Sequence, residues 1–392
     1  MTTIKVGIIG AGFAASSHLD ALRRVTGVEV VAIAARDPRR AREEALRLGV
    51  PRGYGGYEEL LRDETVNAVH NCTPNSLHLE VNAAALEAGK HVLSEKPLAT
   101  NSSDSAFLVD LAQNAAAQGV LSGVCFNYRH YPLVRQIREA LATLRYGSVH
   151  LIHGGYLQDW LLYESDWSWR LDPEVNGPSR AIADIGSHWL DVVQYVTGDR
   201  VVSVLADLTT LHAVRGRPAR AAQTFGDGDG KGDPVNIGTE DFGMMLLRMA
   251  SGARGSCTIS QVSAGRKNRL FVEIDAAEAT IAWEQEEPNR IWIGRRDREN
   301  SELVRDPRLL DPPAASLVHY PAGHQEGWPD ALRNLFEDFY RAIAARRDDG
   351  AYTPSFATFA EAHRIVELVE AAVESHREQR WTTAASERSV PA

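Results

Sequence analysis

Residues 4–19, Ile-Lys-Val-Gly-Ile-Ile-Gly-Ala-Gly-Phe-Ala-Ala-Ser-Ser-His-Leu, read as a buried strand that runs into a glycine turn and then a helix. Within them Gly10, Gly12 and Ala15 spell G-x-G-x-x-A. The first glycine permits the tight turn, the second lets the backbone approach a pyrophosphate, and the small third residue lets helix and strand pack closely. Phosphates then lie on the amides and the positive dipole end of a helix beginning near Phe13. Taken alone the pattern is weak, and a plain tight turn satisfies it. Its place after an Ile/Val strand and before a helix is the context that a dinucleotide site requires.

The downstream chain repeats the same rhythm. Val28–Ala35 is apolar enough for a strand buried on both faces, and Asp37-Pro38 reads as N-cap and first residue of a helix over Arg39–Leu48. A short helix at 57–63, a strand at 66–72, a helix at 76–88, a strand at 91–94, a helix at 103–118 and a strand at 120–126 follow. Strands alternating with helices imply right-handed crossovers and a doubly wound parallel sheet, so residues 1–126 are expected to form a Rossmann dinucleotide-binding domain.

From about residue 147 strand-like segments come close together, at 148–158, 201–212, 240–250, 253–263, 269–275, 279–283 and 290–293. Several alternate apolar and polar residues, as Arg269–Asp275 does, which predicts an α+β domain over 127–378 with a large, mainly antiparallel, open sheet. Helices are expected at about 183–195, 328–346 and 356–375, and residues 379–392 as a flexible tail. Residues 213–236 are a Gly/Asp/Arg-rich insertion without periodicity, read as a loop. Its Asp227–Asp233 run imitates a calcium loop, but Lys231 takes a ligand position and Gly238 stands where a bidentate glutamate belongs.

A chain of 392 residues, 44% apolar and 24% charged, can bury a full core and exceeds the usual single domain. A net charge of −10 leaves no basic footprint for nucleic acid, so the expected partner is a small molecule. Three scattered cysteines, Cys72, Cys125 and Cys257, provide neither a disulfide framework nor a metal knuckle, which suits the cytoplasm. Strand residues begin at Ile4, leaving no space for a leader, and no apolar run reaches membrane-spanning length.

The end of the second strand bears on cofactor choice between NAD and NADP. NAD sites usually place an acidic residue there, whereas NADP sites place a small residue and an arginine. Ala35-Arg36 favours NADP, since Arg36 can pair with a 2′-phosphate or remain a solvated surface residue; Asp37, if not a cap, can reach the ribose.

Three constellations carry chemistry. Ser94-Glu95-Lys96-Pro97 leaves a parallel strand at the ligand-binding edge of the sheet, and Pro97 keeps Lys96 extended. A lysine there can hydrogen-bond a substrate hydroxyl and stabilise a developing alkoxide. Asp184 and His188 stand at i and i+4 on an expected helix, where a carboxylate can orient an imidazole serving as general base. A capped helix with a satisfied histidine is the alternative, and the absence of further ligands at suitable spacing argues against a metal. The third is Tyr156, Trp160, Trp167, Trp169 and Arg170, aromatic faces with planar hydrogen-bonding groups, suited to a polyhydroxylated ring or to plugging a domain junction.

Taken together, Gly10-Ala11-Gly12, Thr73-Pro74-Asn75 with His78, Glu95-Lys96-Pro97, Asn127-Tyr128-Arg129 and Asp184-Ile185-Gly186-Ser187-His188 resemble, in order and spacing, the glucose-fructose oxidoreductase/inositol dehydrogenase/MocA (Gfo/Idh/MocA) family. The resemblance covers nearly the whole chain. It implies a Rossmann domain followed by a domain whose open sheet serves oligomerisation, giving homodimers or homotetramers. It places nicotinamide-side contacts near Thr73, Pro74, Asn75, His78 and Glu95, catalysis on Lys96, Asp184 and His188, and substrate contacts at Asn127 and Arg129. It further implies that His188 takes the proton of a ring hydroxyl as hydride leaves the same carbon of a sugar, sugar derivative or inositol, while Lys96 and Asp184 hold and polarise that hydroxyl. Two other readings stay open: an NAD-dependent glycosidase working by transient oxidation and elimination, with Arg129 or Arg170 receiving an anionic glycoside, and a non-catalytic NADP-binding sensor, which has no need of Lys96, Asp184 and His188.

Overall fold

The computed structural model describes residues 3–218, 232–348 and 350–387. In chain order the first elements are β1 (Ile4–Ile9), α1 (Phe13–Leu22), β2 (Val28–Ala34), α2 (Pro38–Leu48), β3 (Arg52–Tyr54), α3 (Tyr57–Leu61), β4 (Ala68–Asn71), α4 (His78–Glu87), β5 (His91–Ser94), α5 (Ser102–Ala117) and β6 (Ser122–Val124). All six strands are parallel, in the order β3-β2-β1-β4-β5-β6. The order reverses between β1 and β4, so the glycine turn after β1 and the loop after β4 stand at the switch point where open α/β sheets bind ligands. The three-residue β3 escaped the sequence reading, being too short to show a period.

The chain continues through α6 (Pro132–Ala142), β7 (Val149–Leu157), α7 (Pro173–Asn176), α8 (Ser187–Thr197), β8 (Val201–Thr209), β9 (Val214–Pro218), β10 (Gly232–Asn236), β11 (Phe242–Met249), β12 (Arg254–Ser260), β13 (Arg269–Ala276), β14 (Thr280–Glu284), β15 (Arg290–Gly294), β16 (Ser301–Val304), α9 (Pro312–Ala315), α10 (Trp328–Arg347), α11 (Phe359–Glu378) and β17 (Thr382–Thr383). Nine of these strands form one mixed sheet, β16-β15-β14-β13-β7-β12-β11-β8-β17, in which only β7 and β12 pair in parallel.

Register shows how that sheet divides its faces. Met245, Cys257, Val272 and Trp283 are buried across the strands. The next row, Leu205, Leu246, Ser256, His153, Glu273, Ala282 and Trp292, is nowhere buried. A period of two leaves one face for a core and one open.

Two compact units result, Met1–His130 with Trp328–His363, and Tyr131–Gly327 with Arg364–Ala392. The grouping differs from a continuous second domain over 127–378. Leu332, Leu335, Phe336, Phe339, Tyr340 and Ile343 repeat at helical spacing along α10 and are buried with Ala15, Leu19 and Leu22 of α1 and with β1 residues. Each such burial contributes about 1.5–3 kcal/mol, which ties α10 to the parallel sheet whatever its place in sequence. Three further expectations are corrected. Residues 132–142, to which the sequence reading assigned no element, form α6, started by Pro132 in the first turn. Within 213–236 the described flanks pair as the antiparallel ribbon β9/β10, while residues 219–231, and with them most of the calcium-like run, lie outside the described residues. Beyond Trp381, Thr382 and Thr383 pair with Val204 and Ser203, and Glu387 accepts from Arg200 and Arg364, so the expected flexible tail is ordered as far as residue 387.

Candidate active site

In the first unit, Gly10 has φ +120° and a Cβ there would lie 2.4 Å from the Cys72 carbonyl oxygen, so the turn requires glycine. Gly12 is the N-cap of α1; no side chain caps it, and a Cβ on Gly12 meets nothing within 4 Å. Open space beside uncapped helix amides is what a pyrophosphate needs. Ala15 is fully buried and Phe13 is 52% exposed, its ring stacked on Trp328. The dinucleotide reading fits these features. Arg36 is exposed just past β2, whereas Asp37 caps α2 by accepting from the amides of Arg39 (2.8 Å) and Arg40 (3.3 Å).

Behind the ends of β4 and β5 runs a buried amide chain that no sequence pattern announced. The amide and hydroxyl of Thr73 donate to Asn71 Oδ1, Asn71 Nδ2 donates to Asn82, Asn82 Nδ2 donates to Ser94 Oγ, and that hydroxyl donates to the Glu95 carbonyl. It holds the Thr73-Pro74-Asn75 loop and the Lys96 loop in fixed relation. Lys96 is partly exposed and its bond to Pro97 is cis.

His78 and Glu95, expected to touch the cofactor, support the two loops. The fully buried His78 ring places Nδ1 2.6 Å from the Pro97 carbonyl oxygen and Nε2 3.0 Å from that of Thr73. Burial lowers its pKa despite those two acceptors. Glu95 accepts from the Lys96 amide at 3.2 Å, and its other oxygen lies 2.9 Å from His18 Nε2. Arg129 is corrected: it is 5% exposed and donates to Glu361 at 2.8 Å. Burial opposes ionisation of Glu361, but Arg129 and the Thr358 amide together hold its pKa below the ordinary value. Asn127 is buried with Nδ2 lacking a hydrogen-bond partner among the described residues, a donor suited to a ligand.

In the second unit, Ile182–Gly186 is a π-helical turn that leads into α8. Such turns recur at functional sites because they re-aim side chains. Trp189, fully buried, donates from its indole to the Phe271 carbonyl at 2.9 Å and fixes α8 on the closed face of the sheet. Asp184, from the π turn, accepts from Gln261 Nε2 at 2.9 Å and lies 3.4 Å from Arg170 Nε. His188 is 8% exposed, its ring 6.3 Å from that of Tyr156.

Gln261 is itself anchored, because its Oε1 accepts from Arg180 at 2.8 Å. Arg180 and Arg215 both pair with Asp241, and all three are fully buried. Burial works against charge on Asp241, yet the guanidiniums and the His212 amide hold its pKa below the usual carboxylate range. This network was missed by sequence reasoning because Arg180, Arg215, Asp241 and Gln261 are scattered over 82 positions and meet only by folding.

The aromatic cluster divides. Tyr156 and Gln158 both donate to Asn268 Oδ1, and the Trp160 indole donates to Gln158. The guanidinium of Arg170 stacks on Trp169 at 4.5 Å, and its Nη1 is a buried donor without a partner among the described residues. Trp167 is corrected: it belongs to a small core with Leu161, Leu171 and Ile237. Among the described residues, the groups able to surround an ion are His18/Glu95/Cys125 and His153/Glu273/Asp275, neither of which contains Asp184 or His188. No described helix is long and apolar enough to cross a membrane.

Comparison with known proteins agrees with this geometry. Residues 4–123 match the family model described as the oxidoreductase family, NAD-binding Rossmann fold, and residues 134–282 match the Gfo/Idh/MocA C-terminal domain. The chain is similar to levoglucosan dehydrogenase of Pseudarthrobacter phenanthrenivorans, 29% identical with 97% of this chain and 98% of that protein covered. It is also similar to D-xylose 1-dehydrogenase (NADP(+)) 2 of Haloferax volcanii, 34% identical over 51% of this chain and 60% of the relative. The solved complex of levoglucosan dehydrogenase with NADH and L-sorbose superposes with a TM-score of 0.86 at 27% identity, covering 98% of this chain and 99% of the other. With a glycine turn, a Glu-Lys-Pro strand end and both family domains in place, the chain belongs to the Gfo/Idh/MocA family of NAD(P)-binding oxidoreductases.

Proposed function

We propose that this chain is a dehydrogenase that oxidises a ring hydroxyl of a sugar, sugar derivative or inositol with NAD(P), with Lys96, Asp184 and His188 as its catalytic residues. The observation that carries the reading is Asp184, held by Gln261 and Arg170 on the π turn that leads into the helix of His188. Gly10, Gly12, Phe13, Ala15, Thr73, Pro74 and Asn75 would hold the dinucleotide. Bound nicotinamide supplies the hydride acceptor. His188 takes the hydroxyl proton, and the Lys96 ammonium stabilises the developing alkoxide. Asp184, with Lys96, holds and polarises that hydroxyl. Tyr156, Trp160, Trp169, Arg170 and Asn127 supply ring faces and planar donors to the sugar.

Exposed Arg36, together with the commitment of Asp37 to its helix, favours NADP over NAD. The open sheet face is read as the contact between copies in a homodimer or homotetramer, and the chain as a cytoplasmic protein.

The test is reduced-nicotinamide absorbance with NAD or NADP against levoglucosan, L-sorbose, xylose, inositols and aryl glycosides, with released aglycone read in parallel. Net reduction over many turnovers, faster with NADP, is expected. Lys96→Ala and His188→Ala should each lose at least about a hundredfold in turnover while still binding reduced cofactor. Undiminished turnover in either sinks the catalytic assignment, and aglycone release without net reduction makes the chain a redox-cycling glycosidase.

A further inference from the structure

Four side chains in the first unit form a buried line that the proposed reaction does not use. Tyr340 Oη lies 2.8 Å from His70 Nε2, His70 Nδ1 lies 2.8 Å from His18 Nδ1, and His18 Nε2 lies 2.9 Å from Glu95 Oε1. The three rings come from α10, β4 and α1, and all are buried. The line ends at the residue before Lys96.

Donor and acceptor chemistry settles its direction. Burial, and secondarily the neighbouring His18, holds the His70 pKa well below its ordinary value, so its ring is neutral with a single N–H. Burial alone raises the Tyr340 phenol, so it stays protonated. Its proton has no other acceptor among the described residues, and a buried hydroxyl proton seeks one. Tyr340 therefore donates to His70 Nε2, the His70 proton sits on Nδ1 and donates to His18 Nδ1, and His18 must carry its proton on Nε2, facing a carboxylate that can only accept.

We propose that Tyr340, His70 and His18 are positioning residues for Lys96: a one-way chain of donors that terminates on Glu95 and pins its carboxylate against the Lys96 backbone. Glu95 Oε1 takes the His18 proton and Oε2 takes the Lys96 amide proton, so the carboxylate is fixed at both oxygens. Among the described residues, Cys72, Cys125 and His78 are titratable groups near it. Cys125 Sγ lies 3.7 Å from His18 Nε2, and burial raises both thiols, which stay neutral. Glu95 thus meets neutral thiols on one side and the Lys96 amide on the other, so its hold on the Lys96 backbone is what carries the positioning.

This inference rests on the reading of Lys96 as catalytic, but neither of its tests requires a substrate. In the first, imidazole 15N shifts of histidine-labelled full-length protein should show His70 as the Nδ1–H tautomer and His18 with a proton on Nε2. Tyr340→Phe should abolish the single His70 tautomer. A native His70 with its proton on Nε2, or unchanged shifts in Tyr340→Phe, overturns the chain.

In the second, competitive acetylation with acetic anhydride across pH, read by peptide mass spectrometry, gives the reactivity profile of Lys96. His18→Leu, which removes the donor to Glu95, should alter that profile, whereas His18→Gln, whose amide still donates to Glu95, should leave it near wild type. Equal profiles in wild type and both variants refute the positioning role, as does an equal change in both. Loss of turnover in Lys96→Ala bears only on the function, so the two failures are separable. Should His18→Leu fail to fold, Tyr340→Phe, which removes the first donor of the line, carries the same comparison with a smaller change.

Discussion

At the scale of single residues, Gly10 shows how much one backbone angle decides. Its φ of +120° and the Cys72 carbonyl 2.4 Å from a notional Cβ mean that alanine must move the turn. Gly10→Ala is expected to cost about 1–3 kcal/mol and to weaken reduced-cofactor binding by more than tenfold. Denaturant unfolding with fluorescence titration checks both, and a variant with full affinity would detach the turn from the cofactor. Gly10, Gly12 and Ala15 were legible because each answers a local demand stated in the motif itself. His78, Arg129 and Trp167 were equally visible as residue types, yet the fold buries them. Their roles depend on partners such as Glu361, remote in sequence.

At the scale of elements, helix α10 was found as a helix but its role was not. The apolar stripe identifies a packing face without saying which sheet receives it. On the same helix Asp338, buried, accepts from His130 (3.1 Å), from the Tyr352 hydroxyl (2.6 Å) and from the Ser355 amide (2.8 Å). Burial opposes its ionisation, but these donors outweigh it and hold the pKa at about 2, below the ordinary 3.8. A folded-state pKa below the unfolded one stabilises at neutral pH, and that contribution fades as pH falls from about 4 through 2. Asp338→Asn should therefore lose about 2 kcal/mol at pH 7 and should show a smaller loss of stability on acidification than wild type. Unfolding curves at neutral and acid pH measure it; parallel curves for the two proteins would deny the carboxylate this role.

At the scale of the whole molecule, the nine-stranded sheet leaves a face on which Leu151, Met244, Leu246 and Trp292 are 37–49% exposed. An apolar row spread over several strands is what a partner surface looks like. With a second copy as the occupant, Met244→Glu combined with Leu246→Glu should convert the oligomer to monomer in light scattering while leaving reduced-cofactor binding in place. A wild-type monomer, or an unchanged oligomer in the double variant, would exclude this face as the contact.

By itself the sequence determined whatever depends on neighbours along the chain. That covers the G-x-G-x-x-A turn, the alternation that makes the first sheet parallel, the period of two that opens a face of the second, and the family to which both halves belong. Only the tertiary structure decided what depends on residues distant in sequence. It gave α10 to the parallel sheet, tied Asp184 through Gln261 to Arg180 and Asp241, and lined Tyr340, His70 and His18 up behind Glu95. The physical reason is that a buried polar group must find its partner wherever the fold brings one, and no local pattern records that choice.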